Sequence, residues 1–225
     1  MIGGTVAEEG KGAALIERRA TAGSLSQQAM GESSELAEGG VPVASPPRVA
    51  VFFVGNKLML DDGAAAILYE MIAERFDAAP SVRLYDVGCM SLDMLSYVDA
   101  CDVLITIDAV DSADGVPGTI FRYTPDDLAR TQKALSSLHD LRLADLFDTA
   151  ALLGYRAQGV CFGVQVENRS PSSMAIGLTP EVQAALPRLF EALSAELARL
   201  GVPFIERATG KPVVGPLPDG YWEGA

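Results

Sequence analysis

RVAVFFVGN, at residues 48–56, is the strongest structural signal in this sequence. From Val49 to Val54 it is a continuous apolar run, rich in β-branched and aromatic residues. Such a run is typical of a strand buried on both faces, as in a parallel sheet. Gly55-Asn56 interrupts the run, so the strand should end there.

Strands alternate with helices downstream of this run. Apolar residues at positions 67, 68, 71 and 72 recur at helical spacing and predict the first helix. Further strands are expected at about 82–85, 103–107, 119–123, 159–166 and 202–206, and further helices at about 91–98, 138–153 and 180–200. In the last helix, Thr179 is the expected N-cap and Pro180 the first helical residue. The alternation predicts an α/β three-layer sandwich, a mostly parallel twisted sheet of about five strands with helices on both faces.

Composition divides the chain into three parts. Residues 1–47 are rich in Gly, Ala, Ser and Glu and close with Ser45-Pro46-Pro47, which predicts a flexible acidic N-terminal extension. Residues 48–206 should form the folded domain, and residues 207–225 a C-terminal tail.

The charge balance and the cysteines restrict the classes of partner and compartment. The 225 residues include 30 acidic and 17 basic side chains, a net charge of −13, which disfavours nucleic acid and anionic membrane surfaces as partners. Cys89, Cys101 and Cys161 are scattered and form no CxxC motif, so a reducing cytoplasm is expected. The sequence contains no stretch of roughly 18 apolar residues and no apolar signal segment near its first residues.

Carboxylates follow the first three predicted strands. Asp61-Asp62 come after the first strand, Asp86 follows the second, and Asp108 ends the third. Because the carboxyl ends of parallel strands share one edge, these groups should lie along that edge. His139 is the single histidine of the chain and falls in the first turn of its predicted helix. The positive end of the helix dipole there favours a neutral imidazole, which is the form that binds metals.

Two carboxylates and one imidazole can serve several purposes. They suit nickel, zinc, cobalt or manganese, and the same groups could polarise a water molecule for peptide hydrolysis. Alternatively, Asp61-Asp62 could cap the first helix, Asp108 could hydrogen-bond a loop, and His139 could be structural. A serine triad is disfavoured because the chain has no GxSxG motif. A dinucleotide phosphate site is disfavoured because one glycine, rather than GxGxxG, follows the first strand.

Five motifs occur in a characteristic order. They are GN followed by the DD pair in Val54–Gly63, the aspartate strand Leu104–Ala109, the PGT turn Val116–Thr119, the histidine helix His139–Asp145, and GLTPEV at Gly177–Val182. Together they resemble the hydrogenase maturation endopeptidases, which trim the large subunit of nickel–iron hydrogenases. The resemblance covers about residues 49–206, so it implies that residues 48–206 are a protease domain.

The resemblance also implies a mechanism. It identifies Asp62, Asp108 and His139 as the positions that contact the metal and take part in catalysis. The nickel would be carried by the large-subunit precursor, with no permanent metal in the protease, and cleavage would remove a C-terminal peptide from that precursor. We expect a cytoplasmic monomer. The alternative is a non-cleaving, metal-sensing chaperone or binding module for a metallated subunit.

The chain departs from the family pattern in several places: Ala65 stands where the family usually has a second glycine, and the N-terminal extension and the tail Ala208–Ala225 have no family counterpart. The family often has DGG or DxGT where this chain has Asp86-Val87-Gly88-Cys89. Cys89 is interpreted as a small buried residue, with a soft additional metal ligand as the alternative.

Overall fold

The structure, a computed structural model, describes residues 45–89, 92–111, 115–124, 127, 143–167 and 174–223. These residues belong to one compact unit, Ala44–Ala225. Most of the predicted N-terminal extension, the start of the helix predicted at about 138, and His139 lie outside the described residues. In chain order the elements are β1 (Val49–Val54), a 3-10 turn (Leu60–Gly63), α1 (Ala64–Arg75), β2 (Phe76–Asp77), β3 (Val82–Gly88), a second 3-10 turn (Leu92–Met94), α2 (Leu95–Asp99), β4 (Val103–Val110), β5 (Ile120–Tyr123), α3 (Leu143–Leu152), β6 (Gln158–Gln165), α4 (Pro180–Arg199) and β7 (Ile205–Glu206).

A five-stranded sheet organises the domain, in the order β3-β1-β4-β6-β5. The first four strands run parallel, and β5 is antiparallel to β6. The predicted α/β fold with a mostly parallel sheet is therefore confirmed. The last strand, predicted at 202–206, comprises only Ile205–Glu206 in the structure. It pairs with Phe76–Asp77 in a separate two-stranded sheet.

Alternate residues of β1 face two different cores, because successive strand residues point to opposite faces. Val49, Val51 and Phe53 belong to the larger core, which includes side chains from α1 and α4. We call this side the α1/α4 face. It contains a stacked aromatic group in which the Phe190 ring lies 4.7 Å from that of Phe76.

The opposite side of the sheet carries a smaller core. Ala50, Phe52 and Val54 of β1 pack there with Leu104 of β4. The helical contribution comes from α2 and α3 and includes the fully buried Leu146. We call this side the α2/α3 face. Since all six residues of β1 are buried, the prediction of a strand covered on both faces is confirmed.

The segment after β7 packs onto the domain up to Glu223. The N–H of Val213 donates to the carbonyl of Phe204 at 2.8 Å. The guanidinium carbon of Arg75 lies 5.3 Å from the centre of the Trp222 ring, and Arg75 also donates to the carbonyl of Tyr221 at 3.0 Å. These contacts tie the C-terminal segment to the end of α1. In the described part of the chain, no helix is long and apolar enough to cross a membrane.

Candidate functional site

Asp62 lies in the 3-10 turn between β1 and α1 and is 2% exposed. The backbone N–H of Asn56 donates to its Oδ2 atom at 2.9 Å. Asn56 also shapes its own loop, because its Oδ1 accepts the N–H of Leu58 and its carbonyl accepts the N–H of Met59. The loop after β1 therefore orients the Asp62 carboxylate through a hydrogen bond from Asn56, six residues earlier in the sequence.

Gly55 is required where this loop passes Asp62. Its φ is +140°, in the region that favours glycine. A Cβ atom added here would lie 1.9 Å from the carbonyl oxygen of Asp62. The N–H of Gly55 donates to the carbonyl of Gly88, so the loop is also joined to the end of β3. Gly55 thus allows the close approach that positions Asp62.

Asp61 joins the 3-10 turn to the start of α4. Its carboxylate is fully buried and accepts the backbone N–H of Thr179 at 2.7 Å. The Thr179 hydroxyl lies 3.1 Å from Oδ1 and 2.9 Å from Oδ2 of the same carboxylate. The alternative that Asp61 or Asp62 caps α1 is therefore wrong, since the N-cap is Gly63 and no side chain caps that helix. Thr179 does occupy the predicted N-cap position of α4, but its hydroxyl binds Asp61 rather than the helix.

Asp108 is half-buried and lies inside β4, which continues to Val110, so the prediction that Asp108 ends this strand is wrong. It shares the strand face of Leu104, which packs on the α2/α3 face. In the sheet, Phe53 pairs with Ile107, so Asp108 lies beside the point where β1 enters the Gly55 loop. The expectation that the carboxylates approach one edge of the sheet agrees with this register.

His139 lies outside the described residues, and its distance from Asp62 and Asp108 remains a prediction. Residues 153–157 join α3 to Gln158, which starts β6 and pairs with Val103 at the amino edge of the sheet. Because α3 ends near the amino edge, its Leu143 end is directed towards the carboxyl edge. His139 precedes Leu143 by four positions in the sequence. Within the described ranges, no group of three or more His, Cys, Asp or Glu side chains could hold a metal ion.

A buried polar pair lies two residues before Asp108 in β4, on the same face of the sheet. Thr106 and Cys161 are register partners on β4 and β6, and both are buried. Burial raises the pKa of the Cys161 thiol to about 12, so the thiol stays protonated and is a poor nucleophile or metal ligand. Cys89, by contrast, is exposed, and its interpretation as a small buried residue is wrong.

The PGT turn is held against α4. Gly118 has a φ of +82°, its N–H donates to the carbonyl of Gln165, and Arg188 donates to its carbonyl at 3.0 Å. A Cβ atom at this position would lie 2.8 Å from the carbonyl oxygen of Glu181. The turn thereby fixes the connection to β5 against the first turns of α4. Asn56 and Thr179 bind the Asp62 and Asp61 carboxylates, and Gly118 holds the PGT turn against α4; sequence patterns alone did not assign them these contacts.

Known proteins share both this sequence and this architecture. HupD of Rhodobacter capsulatus, a hydrogenase expression/formation protein, is 35% identical over 116 residues, which cover 51% of this chain and about 55% of HupD. The hydrogenase 2 maturation protease of Escherichia coli K12 is 29% identical over 161 residues, covering 71% of this chain and 96% of that protein. The solved structure of the hydrogenase maturating endopeptidase HybD from E. coli superposes with a TM-score of 0.65 at 29% identity, covering 72% of this chain and 98% of HybD.

The fold is therefore that of a maturation endopeptidase, a class of peptide hydrolase. The family model for hydrogenase maturation protease matches residues 67–196, more than half of the sequence. The chain belongs to the hydrogenase maturation protease family.

Proposed function

We propose that this chain removes a C-terminal peptide from the nickel-loaded large-subunit precursor of a nickel–iron hydrogenase. Family membership supports a peptide hydrolase that acts in hydrogenase maturation. The observation that carries the proposal is the buried Asp62 carboxylate, which the Asn56 N–H orients at the carboxyl edge of the sheet. Asp108 reaches the same edge from β4.

In this proposal the substrate brings the metal. Asp62, Asp108 and His139 contact the nickel of the precursor and orient the water that attacks the scissile carbonyl carbon. The carbon–nitrogen bond then breaks, and the leaving amine takes a proton. Oxygen and imidazole ligands suit a borderline cation such as nickel, and a metal can polarise both the water and the carbonyl. Asp61 has a supporting role, because its carboxylate binds Thr179 instead of reaching the substrate.

We further propose that the protein works in the cytoplasm as a monomer. Its three cysteines are free, which fits a reducing compartment. The net charge of −13 argues against nucleic acid or an anionic membrane as a partner.

The test uses the precursor in two forms. Nickel-loaded and nickel-free large-subunit precursor are each incubated with the full chain, and intact mass is recorded. We expect a shortened C-terminus for the nickel-loaded form alone. Asp62→Asn should abolish shortening, and Asp148→Asn, which changes an exposed aspartate of α3, should leave it intact.

The second candidate is the non-cleaving chaperone or binding module. It predicts a stable complex with the nickel-loaded precursor and no change in mass over many hours. That result, obtained with precursor that a known maturation protease does shorten, would contradict the endopeptidase proposal.

A further inference from the structure

A short backbone edge lies beside the turn that carries Asp61 and Asp62. Ala175 donates its N–H to the carbonyl of Leu58 at 3.0 Å, and its carbonyl accepts the N–H of Leu60 at 2.6 Å. This is a parallel β-bridge, in which Met59 is the partner of Ala175. We call residues 174–176 the 174–176 edge.

The outer side of this edge offers a hydrogen-bonding pair. Both polar backbone groups of Ala175 point towards Leu58 and Leu60. In a trans peptide bond the C=O and the N–H point in opposite directions. The carbonyl of Met174 and the N–H of Ile176 therefore point away from that neighbour. Their spacing is that of one acceptor and one donor on a strand edge, which can pair with one residue of an added strand.

The side chains of the edge are apolar and exposed. Met174 is 74% exposed and Ile176 is 83% exposed. Leu58, whose carbonyl accepts the N–H of Ala175, is 46% exposed. Because strand residues two apart share a face, Met174 and Ile176 present one apolar surface. Such a surface next to a polar site is typical of a binding region for a partner chain.

Two features fasten this edge to the candidate site. Thr179, three residues after Ile176, is bound to the Asp61 carboxylate. Leu60, which donates to Ala175, has a φ of +52°, an unfavourable region for a bulky residue. Backbone strain of this kind persists where the surroundings enforce it, and it is frequent at binding and catalytic sites. The edge is therefore held in a defined position beside Leu60, the residue that precedes Asp61.

We propose that the 174–176 edge binds the precursor as an added β-strand, with an extended apolar stretch of the precursor close to the scissile bond as its occupant. This inference rests on the proposed function, because a protease for a C-terminal peptide must hold an extended chain beside its site. We assign the substrate as the occupant because the edge is joined to the Asp61–Asp62 turn through Leu60 and Thr179. The Met174 carbonyl and the Ile176 N–H fix the register of that chain, and the apolar side chains select its composition.

The test is the kinetics of precursor cleavage by three variants. Ile176→Pro removes the outward N–H donor, and Met174→Asp places a charge on the apolar surface. Val214→Asp is the matched control, because Val214 is also 74% exposed but lies in the C-terminal segment. We expect KM for the nickel-loaded precursor to rise about tenfold or more in the first two variants, with kcat within about threefold of wild type. Thermal unfolding should be unchanged, and the control should match the wild-type protein.

The failure of this inference is distinct from the failure of the proposed function. If the wild-type protein cleaves and both variants keep the wild-type KM, the edge does not bind substrate and the proposed function stands. If the wild-type protein does not cleave, the proposed function fails, and titration calorimetry of the precursor against wild type and Ile176→Pro decides the edge separately. If sedimentation shows a wild-type dimer that both variants dissociate, the occupant is a second copy and the inference is wrong.

Discussion

The two faces of the sheet hold their parts of the site in different ways. On the α1/α4 face, long helices and a stacked group of phenylalanines form the larger core, and Asp61 is bound there by Thr179. On the α2/α3 face the core is smaller, and Asp108 reaches the edge from β4 itself. The adjacent carboxylates of Asp61 and Asp62 are therefore positioned by Thr179 and by the Gly55 loop, respectively, whereas Asp108 is positioned by its strand.

This difference has a functional consequence. Asp62 depends on Gly55, Asn56 and the 3-10 turn, so a change in any of these should move it. Asp108 depends on the register of β4 with its neighbours, which many backbone hydrogen bonds maintain. We expect the site to be more sensitive to changes in the Gly55 loop than to changes of similar size elsewhere along the edge.

The largest expected effect comes from Gly55→Ala. The added Cβ would collide with the Asp62 backbone and displace its carboxylate. A displacement near 1 Å can lower the rate on the order of 100-fold, and we expect at least that loss in precursor cleavage. Gly88→Ala is the control, since Gly88 lies at the same edge with a φ of +56° but has open space around its Cβ position. Equal loss in both variants would show that backbone strain, not the collision with Asp62, is responsible.

The next effect compares the two cores directly. Phe190→Ala should lower the free energy of unfolding by about 3–5 kcal/mol, because Phe190 is fully buried among aromatic rings. Leu146→Ala on the α2/α3 face should cost about 2–3 kcal/mol, in the lower part of the range for buried leucine. Urea unfolding at neutral pH measures both. A larger loss for Leu146→Ala would reverse the comparison of the two faces.

A smaller effect tests the link between the 3-10 turn and α4. Thr179→Val removes the hydroxyl donor to the buried Asp61 carboxylate and should cost about 1–3 kcal/mol. Thr149→Val is the matched control, because the Thr149 hydroxyl donates to a helical carbonyl, that of Asp145, and its loss should cost well under about 1 kcal/mol. Equal unfolding free energies for the two variants would mean that the Asp61–Thr179 contact contributes no stability.

The smallest effect concerns the N-terminal extension. Residues 1–46 have little apolar surface to offset the entropy lost on ordering. Their deletion should leave the melting temperature of the domain nearly unchanged, as measured by calorimetry. A loss of several degrees would contradict this expectation.

Much of this architecture could be predicted from local patterns. The buried run Val49–Val54 and the apolar run before Asp108 are both recognisable as strands from their residue types, although β4 continues past Asp108 to Val110. The rule that parallel strands present their carboxyl ends at one edge then predicts which ends of the strands lie together, but it does not predict the strand order β3-β1-β4-β6-β5. The fold class could therefore be predicted from the sequence, whereas the shared site of Asp62, Asp108 and His139 stays a prediction.

The contacts that position the site could not be predicted in this way. Thr179 and Asp61 are 118 residues apart, and no local pattern pairs them. The bridge between Met59 and Ala175 likewise joins distant segments with no periodic signal. An aspartate after a strand suggests a helix cap, but tertiary hydrogen bonds determined where the Asp61 carboxylate binds.

In the proposed mechanism, Asp62, Asp108 and His139 act as one unit on the nickel of the precursor. The most direct test is the cleavage rate of nickel-loaded precursor by Asp62→Ala, Asp108→Ala and His139→Ala, measured beside thermal unfolding. We expect each single variant to lose processing while remaining folded, and each double variant to be no worse than the singles, because groups that act as a unit are not additive. No second imidazole exists in the chain to replace His139. If His139→Ala trims the precursor at a rate near that of the wild type, the metal-guided mechanism is wrong for this protein.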